Sequence, residues 1–459
     1  MTVTDTPPVC RLADLAAAGR DLPTFPVTVP LAAAPLQLEA CLRVLPGKRL
    51  VARATWGQDT VLAKLFFHHA GFVREQQAYA PLAGSGANTP TCIGHYPLDA
   101  GGVVLYQFLT DAIPLEHAWA QANDETRQTL LKRVLDSTAL CYHAGICQSD
   151  IHLGNFMLQG NTLHALDPAG YMPCLTPEDR LQNLSLFIAQ LPFPQWEAVA
   201  NVIYRRFTET TYDRLLEAAQ RHWRKRLHAY LDKVLRDCTD IADISTPGRR
   251  VLCRRDQLTP ALQAALADPA ALEKNATVLK AGQSATVFRC TIDGRAYVFK
   301  RYRHKDTWRA VRRWARPSRA ARAWRMAHAL RFATIVTPTP VALIEHGRWG
   351  HVPEAWFVTE AIHGEDLLQH WQRREPTAGQ VDRLRHLFHT LALAGFCHGD
   401  MKATNLLVQG DELFLIDLDA AREVHGGTLD AALHEDRLRF LRNWEGRTFL
   451  PTLREATRT

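Results

Sequence analysis

The chain has 459 residues, 47% hydrophobic and 22% charged, with 54 Lys and Arg against 47 Asp and Glu and a formal charge of +7. That composition excludes disorder, collagen and coiled coil, and at roughly 150 residues per domain it predicts two or three folded units. No apolar run approaches the ~18 residues of a membrane helix, and the start MTVTDTPPVC has neither the basic nor the apolar region of a signal peptide, so a cytoplasmic protein is expected.

In chain order, β-type runs over 50–56 and 61–67 are followed by a predicted helix over 71–82, an apolar strand over 103–109 and a helix-rich remainder. A long charged helical stretch over 207–237 ends before Ser245-Thr-Pro-Gly-Arg-Arg250, whose Pro and Gly place an expected boundary near 247. Domains of 1–247 and 248–459 follow. In the second, 285–290 and 296–302 read as a hairpin across Asp293-Gly294, followed by a helix over 309–332, a strand over 355–360 and another helix-rich remainder. A strand-rich lobe before a helix-rich lobe, twice, predicts an α+β arrangement with a cleft in each half.

The two halves share a segment. Residues 144–167 read AGICQSDIHLGNFMLQGNTLHALD and residues 394–417 read AGFCHGDMKATNLLVQGDELFLID, identical at nine of 24 positions at a constant offset of 250. Two copies half a protein apart are tandem domains rather than a short-period solenoid. Each copy holds an Asp, an Asn five residues later and another Asp 17 after the first, with an upstream strand lysine. Phosphoryl transfer needs a carboxylate to take the acceptor's proton and hard oxygens to hold Mg²⁺ on nucleotide phosphates, and Asp, Asn and Asp supply them. The turns Gln159-Gly160-Asn161 and Gln409-Gly410-Asp411 predict hairpins that return the second Asp to the first pair. The 10 cysteines, scattered from Cys10 to Cys397 without a C-x-x-C pair, are expected to be reduced and mostly buried.

HGDMKATNLL followed by LFLIDLDAAR, and Arg439-Phe-Leu-Arg-Asn-Trp444 beyond, resemble protein-kinase-like phosphotransferases, and among them the bacterial lipopolysaccharide kinases that phosphorylate Kdo or heptose of the core. The first half, QSDIHLGNFML then LHALD, is similar but looser. The resemblance implies two tandem protein-kinase-like domains, each with a strand-rich N-lobe and a helical C-lobe, using ATP and Mg²⁺. It makes Asp150 and Asp400 catalytic bases, Asn155, Asp167, Asn405 and Asp417 metal ligands, and Lys64 and Lys300 the lysines that grip the nucleotide phosphates. Glu75 would pair with Lys64, whereas no glutamate lies between Lys300 and Phe332, where Ala323 stands at the position that would carry it. Lys280-Ala-Gly-Gln-Ser-Ala-Thr-Val287 offers Gly282 and Ser284 for a phosphate loop; the turns at Gly47 and Gly57 make a poorer one. His398 precedes Asp400, with Gln148 at the matching position in the first half. Lys402 resembles the lysine protein kinases aim at the transferred phosphoryl, whereas His152 resembles small-molecule phosphotransferases.

Between Lys300 and Arg325 basic residues crowd around Trp308, Trp314 and Trp324, with Asp306 the one acid. No nucleic-acid-binding signature accompanies them, so the expected partners are the lipopolysaccharide core acceptor and, peripherally, an anionic membrane surface. Two alternatives stay open. One is a catalytically impaired pseudokinase or scaffold, suggested by the missing glutamate and the weak first loop. The other is a protein Ser/Thr kinase, suggested by Lys402, although only about 40 residues follow Asp417.

Overall fold

Strands that alternate buried and exposed side chains must lie with one face on a core, and both large sheets of this protein obey that rule. The structure, a computed structural model, describes residues 7–208, 210–282, 285–303, 317–348, 351–424 and 426–458. The chain divides into two units, Met1–Leu191 with Gln195–Trp223 and Pro192–Pro194 with Arg224–Thr459. Both mix helix and sheet.

The first unit opens with a six-stranded antiparallel sheet in the order Val27–Val29, Leu36–Leu45, Arg49–Trp56, Asp59–Phe66, Gly101–Gln107, Cys92–Leu98. Along Asp59–Phe66, Val61, Ala63 and Leu65 point into one core with Leu50, Ala52, Ala54, Val103 and Leu105. The alternate residues Leu62, Lys64 and Phe66 take the opposite face, where Phe66, Val104 and Tyr106 pack with Phe72 of the His69–Gly84 helix. The helix lies close because Gly102 carries no Cβ: one there would come within 2.5 Å of the Phe72 ring. Lys64 is thus forced onto a helix-covered face. Helices Asp124–His143, Pro177–Ile188 and Trp196–Arg206 form the remainder, with the hairpin Phe156–Gln159 and Thr162–Ala165.

The second unit carries a seven-stranded antiparallel sheet, in which Ala285–Ile292 and His351–Glu360 flank Arg295–Arg303. Tyr297 and Phe299 face a core with Leu262 and Leu266 of the Pro260–Ala267 helix. Val298, Lys300 and Tyr302 take the other face, on the side packed by the Arg319–Phe332 helix, which starts on a Ser318 cap. The predicted turn at Asp293-Gly294 joins Ile292 to Arg295 in register. Helices Ala378–Ala394, Thr428–Arg442 and Leu450–Ala456 surround a cluster of Trp371, Phe388, Phe440, Trp444 and Phe449.

The segment read as a boundary near 247 is a turn inside the second sheet. Thr246 and Arg249 exchange backbone hydrogen bonds of 2.8 and 2.9 Å between strands Ile241–Asp243 and Arg249–Arg254, whereas the units part at Trp223, within the Tyr212–Lys233 helix. Pro and Gly mark a tight turn as readily as a linker. The helix itself buries Leu215, Ala218, Trp223, Leu227 and Leu231. No helix among the described residues is long and apolar enough to cross a membrane.

Candidate active site

The repeated segment folds into the same hydrogen-bonded frame in each unit. Asn155 Nδ2 donates to the Asp150 carbonyl at 2.8 Å, and Asn405 Nδ2 to the Asp400 carbonyl at 2.8 Å. The Leu166 amide donates to the Asn155 carbonyl, and Ile416 to that of Asn405, at 2.9 Å each. The Gly160 and Gly410 hairpins therefore return Asp167 and Asp417 to the first pair, as the spacing predicts. Both aspartates sit in the left-handed region, at φ 57° and 58°, a conformation that costs an L-residue about 1–2 kcal/mol. The hydrogen bonds to either side hold it.

In the first unit Lys64 Nζ lies 2.6 Å from Glu75 Oε1 and 3.1 Å from Asp167 Oδ1. Glu75 is fully buried and accepts two further hydrogen bonds, from Tyr106 OH at 2.8 Å and from the Ala169 amide at 3.2 Å. The Tyr106 ring lies beneath the ammonium, 5.3 Å from Nζ to centroid. Burial followed by the Glu75 charge pushes the Tyr106 hydroxyl far up, so it stays a donor. Arg49 Nη1 adds a second cation on Asp167 Oδ1 at 3.1 Å. Burial by itself would raise the Asp167 carboxyl; Lys64 and Arg49 outweigh it and hold it at about 2. Asp150 is exposed, with His152 Nε2 at 3.9 Å and Gln190 Nε2 at 3.5 Å.

In the second unit Lys300 Nζ is 2.6 Å from Asp417 Oδ1 and 3.0 Å from Asp419 Oδ1. Tyr302 OH donates to Asp419 Oδ1, and Arg319 Nη2 to Asp419 Oδ2, both at 2.6 Å. Desolvation opposes ionisation of Asp419, but Lys300, the Tyr302 hydrogen bond and Arg319 bring its carboxyl below the usual range. Asp400 has two cations beside it, Lys402 Nζ at 2.8 Å from Oδ2 and Arg439 Nη1 at 3.6 Å from Oδ1, and Arg439 also donates to the Gly399 carbonyl. Asp436, 1% exposed, accepts from the amides of His398 at 2.6 Å, Gly399 at 3.1 Å and Met401 at 3.4 Å. The loop bearing Asp400 thus hangs on one buried carboxylate.

The donor set suits Mg²⁺ held with nucleotide phosphates. Each unit offers one Asp carboxylate and one Asn carbonyl, the few-ligand oxygen set that this ion combines with phosphate and water. Among the described residues no group bonds Asp167 Oδ2, Asp417 Oδ2, Asn155 Oδ1 or Asn405 Oδ1, and no cluster of three or more His, Cys, Asp or Glu forms a metal cage. Gly282 closes a turn through its amide to the Ala285 carbonyl at 3.0 Å; Ser284 lies outside the described residues.

Sequence alone brings out Lys64, Glu75 and the two Asp/Asn/Asp sets. It misses Arg49, Tyr106, Tyr302, Arg319, Asp419 and Asp436; of these, Asp419 alone had a local signal, as the second acid of Ile416-Asp-Leu-Asp419. The basic stripe takes a different form from the one expected. Trp324 is fully buried and donates to the Val234 carbonyl at 3.0 Å, so it is a core residue, not a membrane-facing one. Lys300 and Arg319 face Asp419, Arg301 faces Glu273 and Glu354, and Arg325 lies 3.7 Å from Asp232. Those pairs neutralise four of the stripe's cations. Trp308, Trp314 and the cations from Lys305 to Arg316 lie outside the described residues. None of the ten cysteines is in a disulfide; five are buried and five half-buried.

A sheet-borne lysine paired with carboxylates beside an Asp/Asn/Asp loop is the group inventory of a phosphoryl-transfer site. Residues 271–436, within the second unit, match the model of the lipopolysaccharide kinase (Kdo/WaaP) family. Among solved structures, one titled "WaaP in complex with acyl carrier protein" aligns with 43% of this chain and 91% of its own, at 23% identity and a TM-score of 0.27. No curated protein matches the chain.

Proposed function

We propose that the protein is a tandem protein-kinase-like phosphotransferase, and that its second unit transfers phosphate from ATP to a heptose or Kdo hydroxyl of the lipopolysaccharide core. The observation that carries this is the coincidence of the family match with the cluster of Lys300, Asp400, Asn405 and Asp417. ATP with Mg²⁺ supplies the phosphoryl group and screens its charge. Asp400 takes the proton of the acceptor hydroxyl, and its place is set by Asn405 beneath and Asp436 behind. Lys402 and Arg439 lie where negative charge gathers during transfer. Lys300 holds the phosphates, while Asp417 and Asn405 offer their uncommitted oxygens to the metal. The acceptor is assembled at the inner membrane face, so the site of action is cytoplasmic, peripheral to that membrane.

Replacing Asp400 by Asn is expected to abolish core phosphorylation in cells, read as phosphate content of the core by mass spectrometry. Unchanged phosphate content would overturn the assignment.

The first unit supports a second role, as a nucleotide-silent partner. Arg49 already occupies Asp167 together with Lys64. Thermal-shift titration of an Asp417→Asn variant with ATP and Mg²⁺ isolates this unit: a retained shift makes it a second nucleotide site, and no shift makes it the silent partner.

A further inference from the structure

We propose that Asp419 is the positioning residue for Lys300, taking in the second unit the part that Glu75 takes for Lys64 in the first. This rests on the phosphotransferase reading above and names how that site is held.

The two networks match group by group. In the first unit one carboxylate oxygen, Glu75 Oε1, receives Lys64 Nζ at 2.6 Å and Tyr106 OH at 2.8 Å. In the second, Asp419 Oδ1 receives Lys300 Nζ at 3.0 Å and Tyr302 OH at 2.6 Å. Each ammonium rests over the ring of that tyrosine, at 5.3 Å for Lys64 and 5.2 Å for Lys300. The chain origin of the groups differs. Tyr106 comes from the strand beside Lys64, whereas Tyr302 lies two residues beyond Lys300 on the same strand and face. Glu75 rides on a helix; Asp419 belongs to the loop that carries Asp417. The Arg319–Phe332 helix brings Arg319 to the same spot, a cation where the first unit has an anion.

That exchange has two physical consequences. A ligand that engages Asp417 removes one of the two carboxylates that hold Lys300, and Asp419 keeps the ammonium in place. Anchor and Asp417 also stand two residues apart, so Lys300 is tied to the loop directly, and the helix is tied to the loop in turn through Arg319. Cutting Arg319 should free the helix and leave Lys300 held. Cutting Asp419 should free the helix and leave Lys300 on Asp417 alone.

The test uses the full chain and amine acetylation of Lys300 at one fixed pH, followed in time by mass spectrometry of its peptide, without nucleotide. Asp419→Asn is expected to speed labelling severalfold, because the ammonium loses one of the two carboxylates that hold it against the sheet, Asp419→Glu to restore protection, and Arg319→Ala to leave labelling at the wild-type rate. Wild-type labelling in Asp419→Asn, or an equal rise in Arg319→Ala, would overturn the proposal. Should Asp419→Asn not fold, Tyr302→Phe carries the test: it removes one hydrogen bond to Asp419, so raised labelling supports the anchor and an unchanged rate overturns it. Protection of Lys300 by ATP and Mg²⁺, measured separately in wild type, tests the phosphotransferase reading, so the two can fail independently.

Discussion

Gln148 and His398, 250 positions apart, do one job with different chemistry: Gln148 Nε2 donates to the Leu166 carbonyl at 3.0 Å, and His398 Nε2 to the Ile416 carbonyl at 2.9 Å. Each carbonyl belongs to the residue before a left-handed aspartate. The side chain two residues before Asp150 or Asp400 therefore holds the backbone that presents Asp167 or Asp417. Since a carbonyl only accepts, His398 carries its proton on Nε2.

His398→Gln should accordingly be tolerated, because the amide reproduces the one bond that matters. His398→Leu leaves a buried carbonyl unpaired and should cost about 1–3 kcal/mol. Chemical denaturation of the two variants checks this, and equal stability of His398→Leu and wild type would contradict it.

Glu75 is the most demanding residue of the first unit, since its removal leaves the buried Lys64 ammonium with Asp167 alone and the buried Tyr106 hydroxyl without its acceptor. Glu75→Ala should destabilise the protein by about 3–5 kcal/mol. Lys64→Met combined with Glu75→Gln should recover much of that, because Gln still accepts from Tyr106 while no charge remains. Urea unfolding of the single and double variants makes the comparison.

Asp436 touches no reacting group, but three amides of the Asp400 loop depend on it. Asp436→Asn should lower kcat about tenfold to a hundredfold, the scale of a small displacement of a catalytic group, with little change in nucleotide affinity. Steady-state transfer assays beside nucleotide titration separate the two effects. A parallel loss of nucleotide affinity would argue against a positioning role.

Acid stability should turn on His328, which is buried with its Nδ1 hydrogen-bonded to Tyr230 OH at 2.8 Å. Burial, with Arg254 and Arg331 adding to it, pushes the imidazole down to about 3. Between the ordinary histidine value near 6.5 and that level the unfolded chain binds a proton that the folded one refuses. Stability is thus full above about pH 6.5 and falls by up to about 1.4 kcal/mol per pH unit below it. His328→Gln, which keeps a hydrogen bond to Tyr230, should flatten that limb in melting curves taken from pH 7 to pH 4.

Much of this protein was legible before folding. Alternating apolar residues located the sheet strands that carry Lys64 and Lys300, and Asp293-Gly294 set a hairpin register, because those signals are local and depend on side-chain periods of two and on turn chemistry. The 250-residue offset exposed the Asp/Asn/Asp sets, since a spacing along the chain survives as a spacing in a short hairpin. What tertiary structure alone decided was partnership. Asp419 meets Lys300, and Arg319 meets Asp419, across about a hundred residues of chain; nothing local says which carboxylate a sheet face will reach. The same holds for Trp324, for which the sequence left a membrane-facing and a packed position equally open and the fold chose the core. A charge or an indole is chosen locally, but its counterpart is chosen by which faces the fold presses together, and that depends on the whole buried surface at once.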